Sequence, residues 1–195
     1  TVKADTAYFY RDRELYEFVG RVRVTRNEAV LTCDRGLYNR NFGTGDFYGD
    51  VRLVEGDVIG TGDVGQSLGE GRYLRLFGNA LLVTPDYSVR GDTIFQDRET
   101  GEAEAFGNVS IMEPGALNLV TGEHAVFRED GDVAEVDRNP VLTSREQAGG
   151  PLHSEAALMR FFRGENRVVM IDSVLIRQEQ TLATADTAVA YGQEH

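Results

Sequence analysis

Seven acidic side chains recur along the chain at a nearly constant interval. They are Asp5, Asp34, Asp63, Asp92, Glu123, Glu155 and Asp186. The first three intervals are 29 residues each, and the later ones are 31, 32 and 31 residues. Carboxylates act in acid–base catalysis or bind calcium when several of them meet at one place. Because these acids occur once per interval, we expect them to bond backbone amides at bends of the chain instead.

Three histidines are the next candidates for chemistry. His124, His153 and His195 are scattered and do not form a zinc ligand set. His124 and His153 flank two of the recurring acids, and we expect each of them to pair with that acid. The histidines therefore predict no metal site.

Two further features resemble functional motifs without their usual context. Cys33 occupies a position that holds small residues in the other intervals, so we expect a small buried side chain and not a reactive thiol. Residues 60–65 match a dinucleotide-binding glycine pattern, but no helical segment follows them. We predict no catalytic residue and no cofactor, and hence a protein that is not an enzyme.

A second repeated phrase lies midway between the acids. It begins with glycine, followed by alternating polar and apolar residues. Its copies start at Gly20, Gly49, Gly78 and Gly107, again 29 residues apart, and it decays later to Arg138-Asn139-Pro140 and Asp172-Ser173-Val174. A period of this length indicates stacked units that bury their apolar faces only against one another.

The phrases predict β-strands. Apolar and polar residues alternate with a period of two, and the glycine falls on the apolar side, which favours a bend where the strand folds over. Turn residues close the half-repeats at Asn41-Phe42-Gly43, Glu55-Gly56-Asp57, Pro85-Asp86 and Pro114-Gly115. The pattern therefore predicts an antiparallel meander of about thirteen long strands, two per repeat.

A parallel β-helix with one repeat per coil is the competing geometry. In such a coil the seven acids would stack about 4.8 Å apart, and like charges at that distance are destabilising. In a meander, equivalent acids lie two strands apart, roughly 9.6 Å, which is near the screening length at physiological salt. The charges favour the meander, and we predict a single elongated all-β domain over residues 1–195.

Composition excludes some partners. The net charge of −12 argues against nucleic acid and against an anionic membrane surface, since both need a basic face. No stretch approaches the roughly 18 apolar residues of a membrane-spanning helix. The chain begins inside the repeat pattern, so we expect it to have been processed.

The phrases resemble the LptA/OstA-like family, the β-jellyroll proteins that carry lipopolysaccharide across the bacterial periplasm. The matching segments are Ala4-Asp5-Thr6-Ala7, Ala185-Asp186-Thr187-Ala188, Phe106-Gly107-Asn108-Val109-Ser110-Ile111 and Leu76-Phe77-Gly78-Asn79-Ala80. The resemblance implies a periplasmic protein whose folded-over sheet forms a V with acyl chains between its walls. It also implies head-to-tail joining, as a bridge subunit or as the amino-terminal domain of the outer-membrane translocon partner. The inner-membrane-anchored member is a third choice.

The apolar side of the repeat is the candidate binding surface. We predict that lipid contacts Phe18, Val22, Val24, Phe47, Val51, Leu53, Leu76, Leu82, Val109 and Ile111. The same side chains would fill a dry core if the walls interdigitate, as they do in a β-sandwich. Lipopolysaccharide or a similar amphipathic lipid is the predicted cargo.

The alternative function is a rigid structural or adhesive β-repeat protein with a dry core. Its outward aromatic row of Tyr48, Phe77 and Phe106 would then bind protein or glycan, although such rows more often serve cross-strand packing. In either case the first and last strands, around residues 2–10 and 182–191, present unpaired backbone. We expect these edges to pair with other lipopolysaccharide-transport proteins or with another copy of the chain.

Overall fold

The computed structural model describes residues 1–113, 118–128, 133–145, 150–162, 165 and 167–191. Within these residues, sixteen strands form one sheet in which neighbouring strands pair antiparallel. The strands are β1 (Val2–Lys3), β2 (Thr6–Tyr10), β3 (Leu15–Arg26), β4 (Ala29–Asn39), β5 (Thr44–Glu55), β6 (Val58–Leu68), β7 (Tyr73–Val83), β8 (Ser88–Asp97), β9 (Glu102–Met112), β10 (Asn118–Phe127), β11 (Val133–Asp137), β12 (Val141–Ser144), β13 (Leu152–Glu155), β14 (Leu158–Phe162), β15 (Arg167–Gln178) and β16 (Thr181–Tyr191). The predicted all-β, antiparallel fold is confirmed.

Turns and short helices account for the connections. Single 3-10 turns occupy Arg11–Arg13 and Gly69–Gly71. The predicted turn at Pro114-Gly115 lies outside the described residues. In the part of the chain that the structure describes, no helix is long and apolar enough to cross a membrane.

Consecutive strands pair with one another, as a meander requires. From β3 to β7 each strand is antiparallel to the next. Three of the long strands are each interrupted and so appear as two segments. These pairs of segments are β1/β2, β11/β12 and β13/β14. Both pieces of each pair bond to the same neighbouring strand: β3, β10 and β15, respectively. Joining these pieces reduces sixteen segments to the thirteen strands that the repeat predicts.

Each glycine phrase forms a corner in its strand. At the second phrase, Gly49 and Asp50 have φ angles of 78° and 45°. The pairing register shifts there, between Tyr48 and Val51. Two successive residues in the left-handed region turn the strand sharply and leave the ladder unpaired for two positions. The predicted bend at the glycine is therefore confirmed.

The corner persists where the glycine phrase decays. Arg138 and Asn139 have φ angles of 58° and 64°, and Asp172 and Ser173 have φ angles of 62° and 54°. Pro140 follows the first of these pairs, at the interruption between β11 and β12, and it is buried. Asparagine and aspartate tolerate the left-handed region better than most residues, so a glycine is not obligatory for this turn.

The recurring acids lie against the corners from the neighbouring strand. A Cβ placed on Gly49 would lie 2.9 Å from Cβ of Asp34 and would clash with its carboxylate oxygen Oδ2. Asp5 and Asp63 face the corner glycines of the first and third repeats in the same way, and each of their Cβ atoms would lie 3.1 Å from the added carbon. Two constraints thus require glycine at these corners: the positive φ angle, and the close approach of a carboxylate that leaves no room for a Cβ.

The chain divides into two compact units. The first unit is Thr1–Pro85 with Gly91–Glu99, and the second is Asp86–Arg90 with Thr100–His195. In the first unit the corners separate the strands into two arms. The first arm contains residues 15–19, 35–39, 44–48, 64–68 and 73–77, and the second contains residues 22–26, 29–33, 51–55, 58–62 and 80–83. We call the face that carries the residues two positions before, and two and four positions after, each corner glycine the inner face.

Replacing Gly49 by alanine tests the corner, and Gly56→Ala is the matched control. Both glycines have positive φ, 78° and 56°, but a Cβ on Gly56 meets no atom within 4 Å. We expect Gly56→Ala to lower the free energy of unfolding by about 1 kcal/mol, through backbone strain alone. Gly49→Ala adds the clash with Asp34 and should cost about 3 kcal/mol. Urea denaturation measures both, and equal losses would contradict the role of the carboxylate contact.

Candidate functional site

The inner face carries the ten residues that the repeat predicts as lipid-binding, and the structure divides them into two groups. None of the ten is highly exposed. Four are buried, with at most 9% of their surface exposed: Val22, Val51, Leu76 and Val109. Six are half-buried: Phe18, Val24, Phe47, Leu53, Leu82 and Ile111.

The buried group lies beside the corners. Val22, Val51 and Val109 each follow a corner glycine by two positions and are each 1% exposed. Ala80 holds the same position in the third repeat and is also 1% exposed. In the first unit, Val22, Val51 and Ala80 therefore form a dry seam along the corners, and Val109 is equally buried at the equivalent corner of the second unit.

Glycines allow the two arms of the first unit to touch beside this seam. A Cβ placed on Gly60, in the second arm, would lie 3.0 Å from Cδ1 of Leu76, which belongs to the first arm. A Cβ on Gly65, in the first arm, would lie 2.9 Å from Cγ1 of Val51, which belongs to the second. Large side chains of one arm thus fill the spaces that glycines leave in the other, at the density of a protein core.

The half-buried group lies on either side of the seam. Val24, Leu53, Leu82 and Ile111 each follow a corner glycine by four positions, and Phe18 and Phe47 precede one by two. Large apolar side chains that point into a closed core normally lose nearly all of their contact with solvent. Their partial exposure marks Phe18, Val24, Phe47, Leu53 and Leu82 as the accessible band of the first unit, and Ile111 has the same partial exposure at the equivalent position of the second unit.

An aromatic cluster extends this band toward the first edge of the sheet, and the sequence reasoning missed it. Phe9 stacks on Tyr16 with ring centroids 4.6 Å apart, and Tyr16 stacks on Phe18 at 6.4 Å. Phe9 is 47% exposed. The signal was available, because Tyr16 precedes the corner glycine by four positions and the alternation places it on the same face as Phe18.

The second unit has a more closed inner core. Val136, Met159, Met170 and Val174 are at most 2% exposed. Methionine fills irregular gaps because its side chain is unbranched and flexible. The accessible band is thus more prominent in the first unit than around these residues of the second.

Two inner rows of the second arm end in charged residues at its tip, Arg26 and Glu55. In the first unit, Arg26 of the second arm donates a hydrogen bond to the carbonyl of Glu70, in the turn that ends the first arm. Glu55 of the second arm forms an ion pair with Arg98, which follows β8. These two contacts join the tips of opposite arms. We call the side of the first unit on which they lie the mouth.

Two residues of the outward aromatic row, Tyr48 and Phe106, pack across strands. The guanidinium of Arg35 lies over the ring of Tyr48, 5.8 Å from its centroid. Phe106 stacks on His124, with centroids 4.8 Å apart. These contacts match the expectation of cross-strand packing, and they give the adhesive alternative no specific support.

Glu123 bonds a backbone amide at its corner, as expected, whereas Asp5 and Asp63 accept hydrogen bonds from the side chains of Arg21 and Asn79. The histidines do not pair with the recurring acids that they flank. The backbone N–H of Asn108 lies 3.4 Å from Oε2 of Glu123 and donates to it. His124 instead contacts Asp137 at 2.9 Å and Glu104 at 3.5 Å, so the prediction that it pairs with Glu123 was wrong. Neighbouring residues along a strand point to opposite faces, which explains the difference.

His153 likewise has a different partner from the acid that it flanks. Its Nδ1 atom lies 3.1 Å from Oγ1 of Thr143, which is its cross-strand partner. Within the described residues, no three histidine, cysteine or acidic side chains gather closely enough to hold a metal ion.

The first corner acid has an additional partner. Arg21, the residue that follows Gly20, donates hydrogen bonds to the carboxylate of Asp5 at 2.6 to 3.1 Å. These bonds hold the pKa of Asp5 below its ordinary value, since they favour the charged form. The edge strand is thereby tied to β3 at its corner.

Cys33 is the small buried residue that its position predicts. It is 6% exposed, and its thiol donates to the carbonyl of Arg35 at 3.3 Å. Burial raises the pKa of the thiol to about 11, because the thiolate would lose its hydration.

Alkylation of Cys33 tests this assignment. At pH 8 a pKa of about 11 in place of 9.0 reduces the thiolate fraction about a hundredfold. The alkylation rate should fall by the same factor, because the thiolate is the reactive form. We expect iodoacetamide to modify the folded protein at least a hundredfold more slowly than the urea-unfolded protein, as measured by mass spectrometry. Comparable rates in the two states would contradict the buried position.

Known proteins share features of sequence and fold with this chain. The family model described as "LptA/(LptD N-terminal domain) LPS transport protein" matches residues 1–102. No curated protein sequence matches the chain. Among solved structures, LptH from Pseudomonas aeruginosa, described as the LptA homologous periplasmic component of the conserved lipopolysaccharide transport device, is 17% identical. The alignment covers 71% of this chain and 81% of LptH, with a TM-score of 0.46. Because the family match covers more than half of the chain, this chain belongs to the LptA/LptD N-terminal domain family of lipopolysaccharide transport proteins.

Proposed function

We propose that this chain binds lipopolysaccharide, or a similar amphipathic lipid, and carries it across the periplasm toward the outer membrane. The observation that carries the proposal is the accessible band of the first unit, formed by Phe18, Val24, Phe47, Leu53 and Leu82, with Ile111 half-buried at the equivalent position of the second unit. Acyl chains lie against this band. The buried residues Val22, Val51 and Leu76 form the floor beneath them in the first unit, and Val109 is buried in the same way in the second.

Apolar burial supplies enough free energy for such a carrier. Each methylene withdrawn from water contributes roughly 0.8 kcal/mol, so ten methylenes contribute about 8 kcal/mol before the cost of ordering the chain. A carrier must also release its cargo, so moderate affinity suits it better than extreme affinity. No catalytic group, metal or cofactor is needed for this function.

The edge strands are the proposed contacts with other transport proteins. In the described residues β16 pairs with β15 alone, and β1 and β2 pair with β3 alone. Leu182 and Tyr191 on β16 are 62% and 71% exposed, and Tyr8 on β2 is 52% exposed. Unpaired backbone beside exposed apolar side chains favours the addition of a strand from a neighbouring protein. We propose that these edges join the chain to other lipopolysaccharide-transport proteins or to a second copy of itself.

Two roles in transport are compatible with these features. The matched family includes both the LptA protein and the amino-terminal domain of LptD. We propose that the chain is a periplasmic bridge subunit or the corresponding domain of a translocon partner.

A photo-crosslinking residue at position 53 tests the lipid site, and one at position 52 is the matched control. Leu53 is half-buried on the inner face, whereas Arg52 is exposed on the opposite face of the same strand. We expect irradiation in the presence of lipopolysaccharide to yield a lipid adduct at position 53, and at least tenfold less adduct at position 52. Gel mobility and immunoblotting for lipopolysaccharide measure the yield.

The dry-core alternative makes the opposite prediction for the same pair. Adduct at position 52 but none at position 53 would contradict the proposed inner-face site. Absence of adduct at both positions, with the fold intact by circular dichroism, would support a rigid β-repeat without lipid cargo.

A further inference from the structure

Strand alternation places charged residues at the ends of two inner apolar rows. On β3, the row of Val22 and Val24 continues to Arg26. On β5, the row of Val51 and Leu53 continues in the same way to Glu55. An inner face that changes from apolar to charged toward its tips matches the order of groups in an amphiphile, whose chains join a polar headgroup.

Two arginines converge on one turn at the mouth of the first unit. The turn is formed by residues 69–72. Arg26 donates to the carbonyl of Glu70, and its guanidinium lies so close to Gly71 that a Cβ there would be 2.8 Å from Nη1. At the other end of the turn, the backbone N–H of Arg98 donates to the carbonyl of Arg72 at 2.9 Å. The guanidinium of Arg26 and the backbone of Arg98 therefore contact the same four-residue turn, and the guanidinium of Arg98 extends from there to Glu55.

The three arginines at this turn, Arg26, Arg72 and Arg98, differ in the carboxylates that neutralise their charge. Arg72, within the turn, is held by Asp97 at 2.9 Å and by Glu99. Arg98 pairs with Glu55, whose side chain is 45% exposed. Arg26 faces a neutral carbonyl, and in the described part of the chain no carboxylate forms an ion pair with it. Arg26 is therefore available to an anion, and Arg98 becomes available once Glu55 is displaced.

We propose that Arg26 and Arg98 bind the anionic headgroup of an amphiphile whose chains lie on the inner face. Glu55 forms an ion pair with Arg98 until the headgroup replaces it. The inference rests on the proposed function and adds a headgroup site to it. A phosphate is the best-matched headgroup, because guanidinium groups bind its oxygens through paired, charge-assisted hydrogen bonds.

The same exchange opens the mouth. The Glu55–Arg98 ion pair joins the tips of the two arms, since Glu55 ends the second arm and the backbone of Arg98 bonds to Arg72 in the turn that ends the first arm. A headgroup that replaces Glu55 on Arg98 therefore breaks the ion pair between the two tips. The acyl chains can then enter between the arms and reach the accessible band. An uncharged headgroup lacks the charge to compete with Glu55 and gains no such advantage.

Titration with three ligands tests the inference. Dodecyl phosphate and dodecyl maltoside share a chain and differ in headgroup charge, and inorganic phosphate supplies the charge without the chain. We expect isothermal titration calorimetry, below the micellar concentration, to show about tenfold tighter binding of dodecyl phosphate than of dodecyl maltoside. Inorganic phosphate should bind too weakly to be measured at the same concentrations, because it gains nothing from the apolar band.

Three variants separate the headgroup site from general effects. We expect Arg98→Gln to weaken dodecyl phosphate binding about tenfold and to change dodecyl maltoside binding less than about twofold. Glu55→Gln should tighten dodecyl phosphate binding by about threefold or more, since it releases Arg98 without removing it. A loss of folding cannot produce this gain. Arg52→Gln is the matched control, because it removes the same charge from the outer face of β5 and should leave both affinities unchanged.

The outcomes distinguish this inference from the function on which it rests. Equal binding of the two dodecyl ligands, unaffected by Arg98→Gln and Glu55→Gln, would overturn the headgroup site and leave lipid binding standing. Failure of the wild-type protein to bind either dodecyl ligand would overturn both. Tight binding of inorganic phosphate that depends on Arg98 would also overturn the inference, because the site would then recognise a free anion.

Discussion

The contact between a carboxylate on one strand and a left-handed corner on the next sets the geometry of the first unit. At Gly49-Asp50 two successive residues with positive φ turn the strand, and Asp34 closes over the glycine so tightly that a Cβ has no room. The same contact recurs at the corner glycines that face Asp5 and Asp63. Because the contact repeats with the sequence, every strand turns at the same level, and the two arms face each other along a continuous seam.

The seam explains how burial varies across the inner face. Beside the corners, Val22 and Val51 are closed off, and glycines such as Gly60 and Gly65 bring the arms into contact. Farther from the corners, Val24 and other side chains of the inner face keep some exposure. A single fold thus combines a dry core, which provides stability, with a half-buried apolar band, against which we propose that the lipid binds.

Much of the fold follows from the sequence because its signals are local and repeated. The 29-residue period, the alternation within each phrase and the spacing of the acids predict the antiparallel meander and its thirteen strands. Burial along the inner face was harder to predict, because it depends on the distance between the arms and not on the alternation within one strand. Val51 and Leu53 look equivalent in sequence, yet Val51 is closed off and Leu53 is half-buried.

Other features of the site depended on contacts between distant parts of the chain. The corner at Asp172-Ser173 keeps its left-handed form without glycine, which the decaying phrase did not indicate. The ion pair of Glu55 with Arg98 joins residues 43 positions apart, and no sequence motif indicates it. The partner of His124 lies across the sheet at Asp137, a relation that register alone determines.

Native mass spectrometry of the protein purified from a host that makes lipopolysaccharide tests the central claim most directly, because it reports whether the inner face carries lipid in the cell. We predict a population whose mass exceeds that of the polypeptide by one phosphorylated, multiply acylated lipid, and whose excess mass disappears in the presence of a competing alkyl detergent. Protein that keeps its strand content by circular dichroism, yet shows only the polypeptide mass in every preparation, would contradict lipid binding on the inner face.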